Sequence, residues 1–358
     1  MAVSVAAAAL LLAGLSTAKA EVDHAAIAKA ALDGVIRPGY AELAKSADAL
    51  SGRIAALCAT PSAPALAAAK EAFATTVAAW SKIEIYRFGP IIQDQRYERI
   101  FYWPDPKGLG LRQVQTVLKA KDATVTDPDQ LAAKSVALQG LPALEYLLYG
   151  DGADTLTQGG GDGAFRCGFA ASVATNVDRV SRNVGEGWRE GAAYAKAFLG
   201  PVPAGPLYHS AKEVTLELFK SFTTGIELVR DQKLAKPLGE NPEHSRPRLA
   251  AFWRSGLSFQ NMACNLAGVR DLFAKGGFAA VVAEESPGVE GSVEFDLDHA
   301  IDVLRAMNMT MQQAVQDEDT RAKLEALRVS LKGASQTAGD MISRVAALSF
   351  GFNAMDGD

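Results

Sequence analysis

The sequence predicts an all-α protein built from packed, up-and-down helical bundles. Apolar residues recur three and four positions apart over long stretches of the 358 residues, as they do on one face of a helix. No stretch of comparable length alternates apolar and polar residues, and no Asn-Gly hairpin turn occurs. Alanine, the best helix former, is frequent among the apolar residues. Helices of this kind pack as antiparallel neighbours in bundles.

Four apolar stripes define the long predicted helices. Each stripe occupies one helix face, which must be covered by another helix. The stripes are Leu66, Phe73, Val77 and Trp80; Val214, Leu218, Phe222 and Val229; Ala300, Val303, Met307, Met311 and Ala314; and Leu324, Leu327, Leu331, Ala334, Ala338, Met341, Val345 and Leu348.

The N-terminal residues 1–20 are predicted to be a cleavable signal peptide. The first fifteen residues carry no charge, and residues 18–20 read Ala-Lys-Ala, an Ala-x-Ala cleavage pattern. A buried alanine-rich helix is the alternative, since no Lys or Arg precedes the apolar stretch. Glu21, not Cys, follows the cleavage pattern, which excludes lipid attachment there. We therefore expect a periplasmic protein with no transmembrane segment in the mature chain.

The predicted domain boundary is the segment 200–206, which contains three prolines and two glycines and breaks any helix. It divides the mature chain into an N-terminal helical half, residues 21–205, and a C-terminal helical half, residues 206–358. We expect the two packed halves to form one domain.

Charge and cysteine content exclude several classes of protein. The 36 basic and 41 acidic residues leave a net charge of −5, so no broad basic field is available for nucleic acid. Cys58, Cys167 and Cys264 allow at most one disulfide, and spacing does not specify the pair. They could equally be small buried apolar residues.

Glu145 is the most unusual residue of the sequence. A helix is predicted from Pro142 to Tyr149, with proline at its start and glycine after its end. Glu145 falls on the same helix face as Leu141 and Leu148, and an unpaired buried carboxylate is costly. Two interpretations follow: a metal ligand or an acid with a raised pKa, or a structural ion pair with an arginine of another helix.

Two further carboxylates and an arginine also lie beside apolar segments. Glu84 and Arg87 continue the stripe that ends at Trp80, and at a spacing of three they can pair on one helix. This pair is either a solvated helix end or part of a polar cavity. Asp105 follows the aromatic cluster Phe101-Tyr102-Trp103 in a Pro-rich turn.

Basic residues concentrate around Arg246 and again at Arg254, where a helix from Leu249 to Asp271 is predicted. Arginines at a helix start oppose the helix dipole. They are therefore expected to face an anion or a buried carboxylate, and Glu145 is the obvious candidate. The sequence contains no His-Glu-x-x-His, Gly-x-Ser-x-Gly or P-loop motif.

Taken together, these segments resemble the imelysin family of exported bacterial proteins. The resemblance rests on five segments in family order: Trp80–Pro90, Tyr102–Asp105, Gly140–Gly150, Lys236–Gly239 and Arg246–Leu266. It implies two helical-bundle halves with a site in a cleft between helices, an envelope location and an association with iron uptake. Some members are classed as metallopeptidases because of a Gly-x-His-x-x-Glu motif.

The motif departs from the family pattern at its histidine. Gly140 and Glu145 match, but Pro142 occupies the histidine position and offers no lone pair to a metal. The sequence therefore favours a non-catalytic, exported binding protein in iron or other metal acquisition, with a metal ion or small ligand and envelope iron-uptake proteins as expected partners. The alternatives are a divergent metallopeptidase and a structural or interaction protein in which Glu145 and Arg254 form only an internal ion pair.

The predicted ligand-binding residues share one property, which is a polar side chain beside an apolar face or aromatic cluster. They are Glu145, Glu84, Arg87, Asp105, Arg246 and Arg254, with Glu145 as the candidate metal ligand and iron or another metal as the candidate cofactor.

Overall fold

The computed structural model describes residues 22–346 and 348, and this part of the chain contains helices and turns but no strand. The predicted all-α class is therefore confirmed. The predicted signal peptide, residues 1–20, lies outside the described residues. Within the described part, every helix is too short or too polar to cross a bilayer.

The helices before residue 200 include three long ones, which are joined by short helices and turns. A π-helical stretch, Leu32–Ile36, connects α1 directly to α2. The helices are α1 His24–Ala31, α2 Arg37–Ala59, α3 Ala63–Ile83, α4 Arg96–Ile100, α5 Leu109–Ala120, α6 Pro128–Ala132, α7 Gly140–Tyr149, α8 Gly161–Trp188 and α9 Ala193–Leu199.

After the non-helical connection 200–210, the chain is again helical. A second π-helical stretch, Leu228–Ala235, joins α10 to α11. The helices are α10 Ala211–Glu227, α11 Lys236–Leu238, α12 Ser258–Lys275, α13 Phe278–Glu285, α14 Val289–Arg305, α15 Met311–Ala314 and α16 Glu318–Val345. The predicted boundary between two halves stays a prediction.

The apolar stripes form the core, as predicted. The side chains of the first two stripes are all buried, and α2 packs against α3 and α8 while α10 packs against α1, α12 and α16. The third stripe is not one helix, because Thr310 and Gln313 form a capping box that starts α15 after the break at 306–310. The fourth stripe lies on one face of α16 from Leu324 to Met341, and Leu348 is buried beyond the end of that helix.

Helices α3 and α12 join the parts of the chain on either side of the 200–210 connection, and they touch through backbone. A Cβ atom at Gly268 of α12 would lie 2.0 Å from the carbonyl oxygen of Lys82 in α3. Only glycine allows this approach, because any larger residue would push the two helices apart. The contact holds the C-terminal end of α3 against α12, where Glu84 begins the next segment.

The predicted helix from Leu249 to Asp271 begins too early. Residues 250–257 form turns, and α12 starts at Ser258. The physical reason lies in Ser255, whose backbone N–H donates to a side chain of another helix and is therefore not available to a helical carbonyl. Phe252 also has φ 56°, a left-handed conformation that a helix does not accept.

Cys58 and Cys167 form a disulfide between the C-terminal end of α2 and the start of α8. Their Cα atoms are 5.5 Å apart, and the bond closes a loop with a sequence separation of 109 residues. Cys264 is a half-buried free thiol. The sequence limited the chain to one disulfide, and the structure identifies the pair.

Replacing both bridged cysteines, Cys58→Ala with Cys167→Ala, is expected to lower the free energy of unfolding by about 2–5 kcal/mol. The reason is that a crosslink across a long loop restricts the unfolded chain. Urea unfolding of the double variant and of Cys264→Ala, which breaks no bridge, measures the difference. A double variant no less stable than Cys264→Ala would contradict the prediction.

Candidate functional site: a cleft beside Glu145

Helix α7 carries Glu145, and its position is fixed by the turn that precedes it. Gly140 has φ +78°, and a Cβ atom there would lie 2.4 Å from the carbonyl oxygen of Ile100. Glycine is therefore required for α7 to begin against the end of α4. Pro142 fits in the first turn of the helix, where no backbone N–H is needed. The first residue of the family motif is thus explained by backbone geometry alone.

Glu145 is 3% exposed, and its carboxylate is held from the segment before α12. Oε1 accepts hydrogen bonds from the backbone N–H of Ser255 at 2.9 Å and from the Ser255 hydroxyl at 2.8 Å. Oε2 receives neither of these hydrogen bonds. The described residues give Glu145 no salt bridge, so of the two interpretations the structural ion pair with an arginine is not what the structure shows; Ser255 donates to the carboxylate instead. Arg254 acts on the carboxylate through its charge at longer range.

Burial raises the pKa of Glu145. The two Ser255 hydrogen bonds, the Arg254 charge and the Arg254 backbone N–H oppose this shift and stabilise the carboxylate. Little water reaches the group, so the cost of desolvation outweighs these interactions. A ligand that donated to Oε2 would complete the interactions of this carboxylate.

Glu145 lines a cleft of about 580 Å³ between α5, α7 and the turns at 248–254. Seven of the lining residues are aromatic, and their rings offer a large apolar contact area to a ligand. The aromatic residues are Phe101, Tyr102, Trp103, Tyr146, Tyr149, Phe252 and Trp253. The volume suits one small molecule.

Phe252 connects the cleft to the strained turn that presents Ser255. Its ring stacks on Phe101 with centroids 5.1 Å apart. Its φ of 56° is unusual for a bulky residue, and such strain persists only where the surrounding packing imposes it. The stacking is therefore part of what holds Ser255 against Glu145.

Asp105 also lines the cleft, but both of its oxygens are engaged. Oδ1 accepts from the backbone N–H of Leu109 at 2.7 Å and Oδ2 from that of Gly110 at 2.8 Å. The carboxylate thus satisfies backbone donors at the start of α5. Its local role is to fix the turn that forms one wall.

Arg254 and Arg248 reach the cleft from the same turn segment, and both are held by aromatic rings. The Arg254 Cζ lies 4.3 Å from the ring centroid of Trp253 and 5.4 Å from that of Tyr146. The Arg248 Cζ lies 5.4 Å from the Trp253 ring. Burial lowers the pKa of Arg254, and the charge of Glu145 opposes this shift.

Glu84 does not pair with Arg87, contrary to the sequence interpretation. Helix α3 ends at Ile83, so the two residues do not follow one another on a helix surface. Glu84 instead accepts from the Lys233 ammonium at 2.8 Å and 2.7 Å. The Lys233 and Glu84 side chains are 1% and 0% exposed. Burial lowers the pKa of Lys233 to about 8, and Glu84 opposes this shift.

Two asparagines of α12 complete this buried cluster. Lys233 donates to the side-chain oxygens of Asn261 and Asn265, each at 2.8 Å. The Asn265 amide donates to Glu84 at 2.9 Å and to the Ser81 carbonyl at 2.7 Å. The Asn261 amide donates to the Ser81 hydroxyl at 2.7 Å. All of these polar groups are thereby satisfied away from water.

The cluster lies directly behind one wall of the cleft. The Lys233 ammonium is 5.5 Å from the Phe101 ring and 5.3 Å from the Trp103 ring. These are cation–π contacts, and the Trp103 indole N–H also donates to the Leu249 carbonyl at 3.2 Å. The buried ion pair thus supports the aromatic wall without facing the cleft.

The structure brings together three of the six predicted ligand-binding residues: Glu145, Asp105 and Arg254 line the cleft. Glu84 lies behind the wall. Arg87 donates to the Tyr97 hydroxyl at 2.8 Å, and Arg246 is exposed; neither lines the cleft.

Lys233, Ser255 and the cleft-lining Arg248 are not among the site residues predicted from the sequence. Lys233 had a signal, because it follows Val229 by four positions and so extends the second apolar stripe. A lysine in that place requires a buried partner. Ser255 had a signal only through the family resemblance, because it belongs to the matching segment Arg246–Leu266. Its residue type alone gives none, since a serine near a helix start is ordinary.

The cleft does not fit a metal centre made of protein ligands alone. In the part of the chain that the structure describes, no three His, Cys, Asp or Glu residues lie close enough to hold an ion. Pro142 lines the cleft and offers no donor atom, while Asp105 is engaged by backbone. A protein-bound metal usually needs about three to four such ligands.

Comparison with known proteins gives one sequence family and one fold. The sequence model of the family described as Imelysin matches residues 36–337. An imelysin-like protein from Psychrobacter arcticum 273-4 has a TM-score of 0.76 at 20% identity, covering 93% of this chain and 100% of that one. A protein named as an iron-regulated protein A precursor, from Parabacteroides distasonis ATCC 8503, has a TM-score of 0.74 at 14% identity, covering 91% and 97%. No curated protein matches the chain.

Lys233→Met is expected to lower the free energy of unfolding by about 3–5 kcal/mol, because it leaves the Glu84 carboxylate buried without a counter-charge. The double variant Glu84→Gln with Lys233→Met removes both charges and is expected to be more stable than the single variant. Guanidinium unfolding of the three proteins measures both differences.

The matched control is Lys82→Met, which breaks only an exposed ion pair with Glu42 at 3.3 Å and should change stability little. Equal effects of Lys82→Met and Lys233→Met would show that the buried pair is not the cause.

Ser255→Ala is expected to cost about 1–3 kcal/mol of stability, because it removes one of the two hydrogen bonds to a buried carboxylate. The pKa of Glu145 should also rise further, since the hydroxyl favours the charged form. Urea unfolding and carboxyl-region NMR titration measure the two effects. Ser245→Ala, which removes only a hydroxyl donating to the Pro242 carbonyl, is the control, and a matching loss there would refute the prediction.

Proposed function

The chain belongs to the imelysin family, and from that premise we propose that it is an exported, non-catalytic binding protein that acts in bacterial iron acquisition. Its ligand occupies the cleft and contacts Glu145. The name of the Parabacteroides distasonis protein, iron-regulated protein A precursor, supports the connection with iron.

The observation that carries this proposal is the state of Glu145. The residue is 3% exposed, yet it belongs to the lining of the cleft, and Ser255 binds only its Oε1. Burial disfavours the charged form of this carboxylate, and a further hydrogen-bond donor would stabilise that form. A ligand that donates to Oε2 would supply this hydrogen bond.

The residues around Glu145 favour binding over catalysis. Pro142 stands at the histidine position of the peptidase motif, where it can neither ligate a metal nor transfer a proton. A metallopeptidase also needs several ligands and a water-activating base, and the cleft supplies no such group of residues within the described chain. Direct contact between Glu145 and a metal stays a prediction.

Export and a periplasmic location are part of the proposal. They rest on the sequence of residues 1–20, with its uncharged apolar stretch and Ala-x-Ala pattern. The word precursor in the name of the Parabacteroides distasonis protein is consistent with export. The Cys58–Cys167 disulfide is also typical of proteins in an oxidising compartment.

Protein purified from the periplasmic fraction of iron-replete cells is expected to carry iron through gel filtration. Glu145→Gln should retain about a tenth of that iron or less, because hydrogen bonds to charged groups contribute about 1.5–3 kcal/mol. Elemental analysis of the eluted protein measures the iron content.

The matched control is Glu240→Gln, which removes an exposed glutamate that does not line the cleft. Iron absent from the wild type, or retained in full by Glu145→Gln, would refute the proposed function. Recovery of the protein in the cytoplasmic fraction would refute the proposed export.

A further inference from the structure

Two arginines of the cleft, Arg248 and Arg254, have no protein anion to pair with. Neither forms a salt bridge or donates a side-chain hydrogen bond within the described residues, and both line the cleft. Arg248 is exposed and Arg254 is half-buried, whereas the buried Arg166 donates to the Leu147 and Tyr146 carbonyls at 2.7 Å. Unused guanidinium donors beside a cleft indicate an anionic ligand.

The aromatic contacts prepare these arginines for binding. The Arg254 guanidinium makes cation–π contacts with the Trp253 and Tyr146 rings. These contacts use none of the guanidinium N–H groups in hydrogen bonds to oxygen, so the N–H groups can still bind a carboxylate. Because the rings already restrict the side chain, less rotamer entropy is lost when the ligand binds.

Within the described residues, the carboxylates of the cleft form no ion pair with either arginine. Asp105 and Glu145 accept hydrogen bonds from backbone N–H groups and from Ser255, and the charge of Glu145 acts on Arg254 only at longer range. Asp151 and Arg248 are both exposed, where solvent screens their charges. An anion bound at Arg248 and Arg254 therefore meets guanidinium donors that no protein carboxylate has taken.

A bare metal ion is a poor fit to the same cleft. It would need about three ligands from His, Cys, Asp or Glu, and the described residues place no such group together. Both arginines would also repel a free cation. A metal that arrives already bound to an anionic chelator avoids both problems, since the chelator supplies the metal ligands and the negative charge.

We infer that the cleft binds a hydroxycarboxylate anion, with its carboxylates at Arg248 and Arg254 and its hydroxyl donating to Glu145 Oε2. This inference rests on the proposed function and specifies its ligand: iron enters the cleft as an anionic hydroxycarboxylate chelate. The volume of about 580 Å³ accommodates one such molecule among the aromatic walls.

Calorimetric titration of the purified protein with four probes tests this inference. The probes are citrate, ferric citrate, tricarballylate (which is citrate without its hydroxyl), and a ferrous salt alone. Citrate or ferric citrate is expected to bind, and tricarballylate about tenfold more weakly because it cannot donate to Glu145. The comparison of free and ferric citrate distinguishes the anion itself from its chelate. The ferrous salt alone should bind more weakly than ferric citrate.

Arginine variants identify the binding groups. Arg254→Gln and Arg248→Gln are each expected to weaken citrate binding at least about tenfold, since charge-assisted hydrogen bonds are the strong ones. Arg246→Gln is the matched control, because Arg246 belongs to the same segment but is exposed and lies outside the cleft. Arg254→Lys keeps the charge and should bind more tightly than Arg254→Gln, which separates loss of binding from loss of folding.

Several outcomes would overturn the inference: no carboxylate probe binds, the ferrous salt binds more tightly than ferric citrate, or Arg254→Gln binds citrate as well as Arg246→Gln does. These outcomes are separable from failure of the proposed function. Periplasmic protein that carries iron through Glu145, but does not bind citrate, would retain the function and reject the ligand. Citrate binding by a protein that never carries iron would support the ligand and refute the proposed function in iron acquisition.

Discussion

The buried ion pair between Glu84 and Lys233 is the interaction on which the arrangement of the cleft depends. It joins the end of α3 to the π-helical stretch after α10, and two asparagines of α12 complete its hydrogen bonds. Desolvating two charges is expensive, so such a pair persists only where every donor and acceptor is satisfied. Here the satisfied cluster also contacts the rings of Phe101 and Trp103 from behind. The wall of the cleft is thus supported by electrostatics.

Glu84 and Glu145 show two ways to accommodate a carboxylate that is buried among apolar residues. Glu84 is completely buried and accepts hydrogen bonds from a lysine and two asparagine amides, so its oxygens are not accessible to a ligand. Glu145 has one serine, and its pKa is raised by burial. The first carboxylate contributes to structure and the second to a binding surface. What separates them is the number of donors that reach each carboxylate and access to a cleft.

Local patterns of the sequence predicted the helices well, because apolar periodicity depends only on neighbours along the chain. The same periodicity identified Glu145 and Glu84 as misplaced acids. It could not identify their partners, since a helical wheel does not say which other helix covers a face. For this reason the sequence pattern indicates the neighbouring Arg87 as the partner of Glu84, whereas the actual partner is Lys233, 149 residues away. In the sequence, Arg246 and Arg254 are both arginines near the start of a predicted helix. In the structure, only Arg254 lies in the turns at 250–257 and lines the cleft.

The position of Ser255 in the chain also bears on how the protein folds. Its hydrogen bonds to Glu145 connect residues 110 positions apart, and the ring of Phe252, which fixes that turn, stacks on Phe101. Contacts between such distant residues form only after the intervening chain has been ordered, at a cost in loop-closure entropy. Glu145 therefore gains these hydrogen bonds only once the chain has closed a loop of 110 residues, and the cleft is a product of long-range folding and not of the local order of α7.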